Sequence, residues 1–227
     1  MPDAGLEAVG ASRGVEDAAG IFAAAEHVPI NNETPSEIDD VDVSRANEYR
    51  LLAHLLRQAP SSDILSEVAQ IRGDATKLGR AHACLAAAAA GAEADSVSRE
   101  YFDLFIGIGH GEFLPYASYY LTGFLQERPL AKIRDDMAVI GIARDEALAE
   151  PEDHIAILCE MMAGLASRQF EADLATERRF FERHLKPWAW RFFGDLETAA
   201  SAKFYRNVGR LGRIFMEIET QGFAMLA

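Results

Sequence analysis

The sequence predicts an all-α protein, on three observations. From residue 44 onward, apolar residues recur at spacings of three and four, the period of one helix face. No stretch alternates apolar with polar residues or gathers β-branched ones as a strand does. Proline or glycine also breaks the chain at intervals that suit ordinary helices, at Pro60, Gly73, Gly91, Gly107, Gly109, Gly111, Pro129 and Pro151.

In chain order, residues 1–43 are rich in Ala, Gly, Glu and Asp, and their only helical stripe is a weak one between Ala18 and Val28. This predicts an acidic, disordered tail. Ser44 is the expected N-cap of the first firm helix, with Tyr49, Leu52, Leu55 and Leu56 on one face. Pro60 ends it. Ser61 or Ser62 restarts a short helix through Ile71, and Gly73 and Asp74 introduce a third that runs through an alanine-rich stretch to Gly91. A fourth begins near Ser96 or Ser98, carries Tyr101, Phe102, Leu104 and Phe105, and stops at the glycine bend. Pro115 then precedes a helical segment from Tyr116 to Leu125. A first-turn Pro129 opens a helix through Leu130, Ile133, Met137 and Ile140 to Ile142. After the polar break Glu150-Pro151-Glu152-Asp153-His154, the stripe Ile155, Leu158, Met161, Met162 and Leu165 marks a long helix. Three more are expected at Thr176–Leu185, Pro187–Ala200 and Ala202–Glu219.

The net charge of −14 is unevenly spread: residues 1–43 hold ten acids and one base, residues 93–160 fourteen acids and five bases, and the two remaining stretches are slightly basic. Nucleic acids and anionic membranes need a basic footprint, so both are disfavoured and a cationic partner is favoured. The longest apolar run, Leu85 to Ala92, is well short of the roughly 20 residues that cross a bilayer. The N-terminus lacks a basic start followed by an apolar core, so no secretory signal is expected and a cytosolic location is. Cys84 and Cys159 sit singly in apolar stretches and are expected to be buried thiols.

Two polar features invite chemistry. The run Gly107-Ile108-Gly109-His110-Gly111 lacks the Lys-Ser/Thr of a phosphate loop and the preceding strand of a dinucleotide fingerprint. None of the six histidines follows a glutamate by three residues, which a carboxylate-bridged di-iron site requires. No metal, cofactor or catalytic constellation is therefore expected. The turn from Glu150 to His154 sets three carboxylates and an imidazole at a helix start, where backbone N–H groups favour negative charge; it reads as a cap or as a binding site. On the last helix, Lys203, Arg206, Arg210 and Arg213 form a basic stripe, expected to be solvated or to meet the protein's own acidic centre.

Three stretches over about residues 45–220 resemble the TorD/DmsD family of cytoplasmic chaperones for molybdenum-cofactor enzymes exported by the twin-arginine pathway. They are Tyr101-Phe102-Asp103-Leu104-Phe105-Ile106-Gly107 leading to Pro115-Tyr116-Ala117-Ser118-Tyr119-Tyr120; Glu150-Pro151-Glu152-Asp153-His154 with Glu160 and Met161; and the aromatic run from Phe180 to Ala199 with Phe204 and Tyr205. The family's Gly-Pro-Gly stands here as Gly107-Ile108-Gly109. The resemblance implies a bundle-like helical fold of two lobes, about 44–149 and 150–220, joined by the Glu150–His154 hinge. It further implies a non-enzymatic chaperone, without cofactor, that binds the signal peptide and immature body of a molybdoenzyme precursor until cofactor insertion is done. Asp153 and His154 become the first peptide-binding candidates, with Glu150 and Glu152 adding charge and Tyr116 and Ser118 lining the neighbouring surface. The segment from Gly107 to Gly123 is similar to members serving formate dehydrogenases. A monomer and a lobe-swapped homodimer are both compatible. The alternatives are a nucleotide-binding or hydrolysing enzyme and a non-catalytic dimerising scaffold.

Overall fold

The computed structural model describes residues 39–144 and 149–225. Ten α-helices make up the described chain: α1 (Asp40–Arg57), α2 (Ser62–Val68), α3 (Lys77–Ala90), α4 (Ala94–Tyr101), α5 (Ala117–Thr122), α6 (Arg128–Ile140), α7 (Ile155–Ala166), α8 (Leu174–His184), α9 (Ala189–Thr198) and α10 (Phe204–Met225), with a π-helical turn at Phe102–Ile106 after α4. No strand element occurs among the described residues. The predicted tail lies outside them as far as residue 38, as does the weak stripe at 18–28.

Local side-chain chemistry sets several of the helix starts. Asp39, Ser61, Thr76 and Asp173 each accept a hydrogen bond from a backbone N–H of the first turn that follows, which satisfies a donor the helix leaves orphaned. α1 thus begins four residues before the predicted cap: Asp39 is the cap, and the Ser44 hydroxyl, already inside the helix, donates back to the Asp40 carbonyl. The α10 start has a remote cap. The Glu100 carboxylate on α4 accepts from the N–H groups of Lys203 at 2.7 Å, Phe204 at 3.1 Å and Tyr205 at 2.8 Å.

Packing centres on two helices. α7 is buried at every position except Glu160 and lies between α1 and α8. α10 packs against α9, α3, α1 and α4. Gly209 permits the close approach of α9, since a Cβ there would sit 2.5 Å from the Glu197 nitrogen. One hydrophobic core links the two centres, with Trp188, Tyr49, Tyr205, Phe180, Phe181, Phe192 and Phe193 fully buried. No helix among the described residues is long and apolar enough to cross a membrane. Of the two free thiols, Cys159 is buried as expected, whereas Cys84 is half-buried, its Sγ 3.9 Å from Arg210 Nη1.

The glycine bend folds back on the π-helical turn. Gly107 N–H donates to the Phe102 carbonyl at 2.7 Å, the five-residue step of a π turn, and Phe113 N–H donates to Leu104 O at 2.8 Å. Gly107 has φ +58°, and a Cβ on it would lie 2.2 Å from the His110 carbonyl oxygen. Gly107→Ala is therefore expected to lower stability by about 1–3 kcal/mol, read as a reduced urea midpoint with unchanged slope.

Candidate functional site

The turn from Glu150 to His154 closes on itself through His154 N–H to Pro151 O at 3.1 Å. It is stitched to the segment after Pro115 by an isolated antiparallel bridge between Tyr116 and His154, with Ala117 N–H on Asp153 O and Ile155 N–H on Pro115 O, both at 2.9 Å. The two stretches singled out in the sequence, some thirty residues apart, therefore meet.

Asp153 and His154 serve as caps within this junction. The Asp153 side chain is 1% exposed; its Oδ2 accepts from the Ser118 N–H at 2.9 Å, capping α5, where Tyr116 supplies no side-chain acceptor. His154 caps α7 by accepting the Ala156 N–H on Nδ1 at 3.2 Å. An acceptor nitrogen requires a neutral ring protonated on Nε2. Burial, aided by the Arg57 charge, pushes the His154 pKa down to about 4, which keeps the ring neutral.

The other candidates divide. Glu150 is exposed and accepts the Tyr116 hydroxyl at 2.5 Å; half-buried Tyr116 also sets its ring edge-on to His154 at 5.1 Å. Burial first, then the Glu150 carboxylate, pushes the Tyr116 phenol far above its ordinary pKa. Glu152 is not presented to solvent: it is 3% exposed, with Oε2 held by Arg134 at 2.9 and 3.0 Å and Oε1 by Arg144 at 3.1 Å. Its charge is matched inside the protein. Ser118 is fully buried, its Oγ accepting from the Glu127 N–H at 3.2 Å; it positions the turn and lines no surface.

Beside the turn stands Glu160, near Arg57 at the end of α1. Arg57 Nη1 lies 3.4 Å from Glu160 Oε1, and burial outweighs that partner, raising the Glu160 pKa to about 7. Among the described residues, three side-chain oxygens are buried without a hydrogen-bond partner: Asp153 Oδ1, Glu160 Oε2 and, on the His82-paired Glu48 of α1, Oε1. Native structures seldom leave such groups unmatched, so this corner of the molecule carries unused acceptor capacity.

Apolar side chains continue from it into solvent. Ile108 at the tip of the bend is fully exposed and Phe124 is 70% exposed; Phe102, Ile106, Tyr119, Leu121 and Leu125 are exposed beside them in the chain. Seven large apolar side chains between residues 102 and 125 are thus exposed. Tyr101, Phe105 and Tyr205 cluster in tilted and edge-on contacts with centroids 5.0–5.8 Å apart, and the Tyr101 hydroxyl donates to the Arg57 carbonyl at 2.9 Å. A cleft of about 690 Å³ opens between α3, α4 and the start of α10, with Glu93, Asp103 and Lys203 on its walls; the glycine bend contributes none of them. Among the described residues, no cluster of three His, Cys, Asp or Glu is placed to hold a metal.

A family model described as nitrate reductase delta subunit matches residues 72–194, more than half of the chain. The chain belongs to that family, the TorD/DmsD group. The chaperone protein TorD of Vibrio atlanticus is 30% identical over 138 residues, which cover 56% of this chain and 64% of that protein. The chaperone protein TorD of Vibrio cholerae is 28% identical over 130 residues, covering 53% and 59%. The chain thus matches less than two thirds of the length of either TorD. A crystal structure from Archaeoglobus fulgidus, described as a redox enzyme maturation protein, superposes with a TM-score of 0.53 over 82% of this chain and 98% of that one, at 19% identity. That likeness shows that the helical TorD-like fold is shared. The matched span includes the glycine bend and the acidic turn but not α1 or α10, so Arg57 is a residue that the motif did not bring to attention; Glu160 stood in the motif without a role.

Proposed function

We propose that this TorD-like protein is a chaperone for the maturation of a molybdenum-cofactor oxidoreductase, acting by reversible binding without bond chemistry. Its ligand in this reading is the twin-arginine signal peptide of the precursor, and the client a formate dehydrogenase held in the cytoplasm until its cofactor is in place.

The observation that supports the reading is the bridge between Tyr116 and His154, which holds the turn carrying the exposed Glu150 against the segment that exposes Tyr119 and Leu121. A signal peptide of this kind has a basic start followed by an apolar stretch. The carboxylate side would speed and orient encounter, and burial of Phe124, Ile108 and their neighbours would set the residence time. Family membership and the chaperones among the relatives support the same direction.

The test is calorimetric titration of the full chain with a synthetic twin-arginine signal peptide. Exposed Glu150→Gln is expected to weaken binding about threefold, and Asp153→Ala with His154→Ala at least about tenfold. Because Asp153 and His154 are caps, the double variant is first checked for helical content and cooperative melting. Unchanged affinity in a folded double variant would remove the site, and absence of binding by the unmodified protein would remove the reading.

A further inference from the structure

We infer that Arg57 occupies, in the unliganded protein, the place that an arginine of the peptide takes on binding, and that Glu160 is the carboxylate that receives the incoming guanidinium. This rests on the peptide-binding reading above and adds to it two residues outside the acidic turn.

The geometry is that of a loosely held self-ligand. The backbone of Arg57 is pinned, because its carbonyl accepts the Tyr101 hydroxyl, but its side chain is 43% exposed at the end of α1. Its contact with Glu160 is single and long, at 3.4 Å. In the same protein, Arg134 grips Glu152 with two nitrogens at 2.9 and 3.0 Å, the range of a well-made arginine–carboxylate pair. Glu160 thus has one oxygen weakly engaged and the other buried without a donor. A guanidinium arriving from outside with both N–H edges would satisfy the two oxygens together. The displaced Arg57 would return to water, where an exposed ion pair is worth little.

The surroundings select the same chemistry. Beside Arg57 are His154, neutral and close enough to feel its charge, and Tyr101, whose hydroxyl is on the Arg57 carbonyl and which in turn feels the Glu150 carboxylate. Tyr101 and Tyr116 supply flat faces nearby. A planar fork with five donors suits two carboxylate oxygens among aromatic rings better than the point charge of an ammonium.

The experiment measures binding of two peptides to three full-length proteins. The peptides are a twin-arginine signal and the same sequence with both arginines replaced by lysine. The proteins are the unmodified chain, Arg57→Gln and Glu160→Gln, each with its thermal midpoint recorded. Arg57→Gln is expected to bind the arginine peptide about three to ten times tighter, chiefly through slower dissociation, and to leave the lysine peptide nearly unchanged. Glu160→Gln is expected to lose at least about tenfold for the arginine peptide alone. If the unmodified protein binds but Arg57→Gln leaves affinity unchanged or weaker, the inference falls and the chaperone reading stands. Equal losses of both peptides in Glu160→Gln also overturn it, since that variant would then act through the fold. If the unmodified protein binds neither peptide, both fall. Should Glu160→Gln not fold, the Arg57 comparison decides.

Discussion

Replacement of Arg45 by alanine is expected to lower the stability of the protein by about 3–5 kcal/mol, the usual consequence of leaving a buried counter-charge alone. Arg45 on α1 gathers three elements. Its Nε and Nη2 meet both oxygens of Glu219 on α10 at 2.8 and 2.7 Å, and Nη2 also reaches Glu177 on α8 at 2.7 Å. The Glu177 and Glu219 side chains are almost wholly inaccessible. Tyr49 OH donates to Glu219 as well, at 2.8 Å, and the guanidinium lies 5.0 Å from the centre of the Phe223 ring. Without Arg45, Arg168 would still contact Glu177 at 3.3 Å, but Glu219 would keep only a phenol. Urea unfolding measures the loss directly. The companion variant Arg45→Leu with Glu219→Leu should recover much of it, because removing both charges leaves neither stranded; a single-variant loss below about 1 kcal/mol would mean that the network is solvated after all.

The second large effect is a loss of stability in acid, carried by His154. Its folded pKa of about 4 lies below the ordinary 6.5, so between those values the unfolded chain binds a proton that the folded one refuses. The His154 contribution to stability then rises with pH across that window, and taken alone it falls by about 3 kcal/mol as pH drops from 6.5 through 4. Glu160 acts in the opposite sense. Its folded pKa of about 7 lies above the ordinary 4.5, so the folded state binds the extra proton and stability falls as pH rises from 4.5 to 7. The two windows overlap, so their contributions nearly cancel between pH 4.5 and 6.5; thermal melts between pH 3.5 and 8 should show Glu160→Gln uncovering the acid loss carried by His154, and His154→Gln uncovering the decline toward neutrality carried by Glu160. A Glu160→Gln protein that loses no stability between pH 6.5 and 4 would show that the His154 ring is protonated in the folded state and caps α7 by some other means.

The helices were legible because apolar period and Pro/Gly punctuation are local properties. Their boundaries were less so. The acidic composition before Ser44 hid the fact that Asp39, one acid among many, is the cap of α1, and the apolar stripe of α10 runs beyond Glu219, through buried Phe223, to Met225. The site was legible as two separate stretches, and the resemblance joined them before the geometry did. What remained hidden is pairing over distance. That Glu152 has its charge matched by Arg134 and Arg144, that Glu100 caps α10, and that Arg45 meets Glu219 across 174 positions all depend on which helices become neighbours. The basic stripe of α10 is a similar case. Arg213 pairs with Glu197 of the adjacent α9 at 2.6 Å, whereas the sequence suggested solvent or the acidic centre of the chain.

The two backbone hydrogen bonds that join residues 115–117 to 153–155 make the junction a fixed gauge. The acidic turn cannot shift without also uncapping α5 at Ser118, and α5 carries Tyr119 and Leu121 toward solvent. The interval between the turn's carboxylates and those side chains is therefore set by these hydrogen bonds together with the few residues on either side of them. On the proposed reading, a ligand whose cationic and apolar parts are spaced too closely or too far apart would engage one end at the expense of the other, so length along the ligand would be discriminated as well as composition.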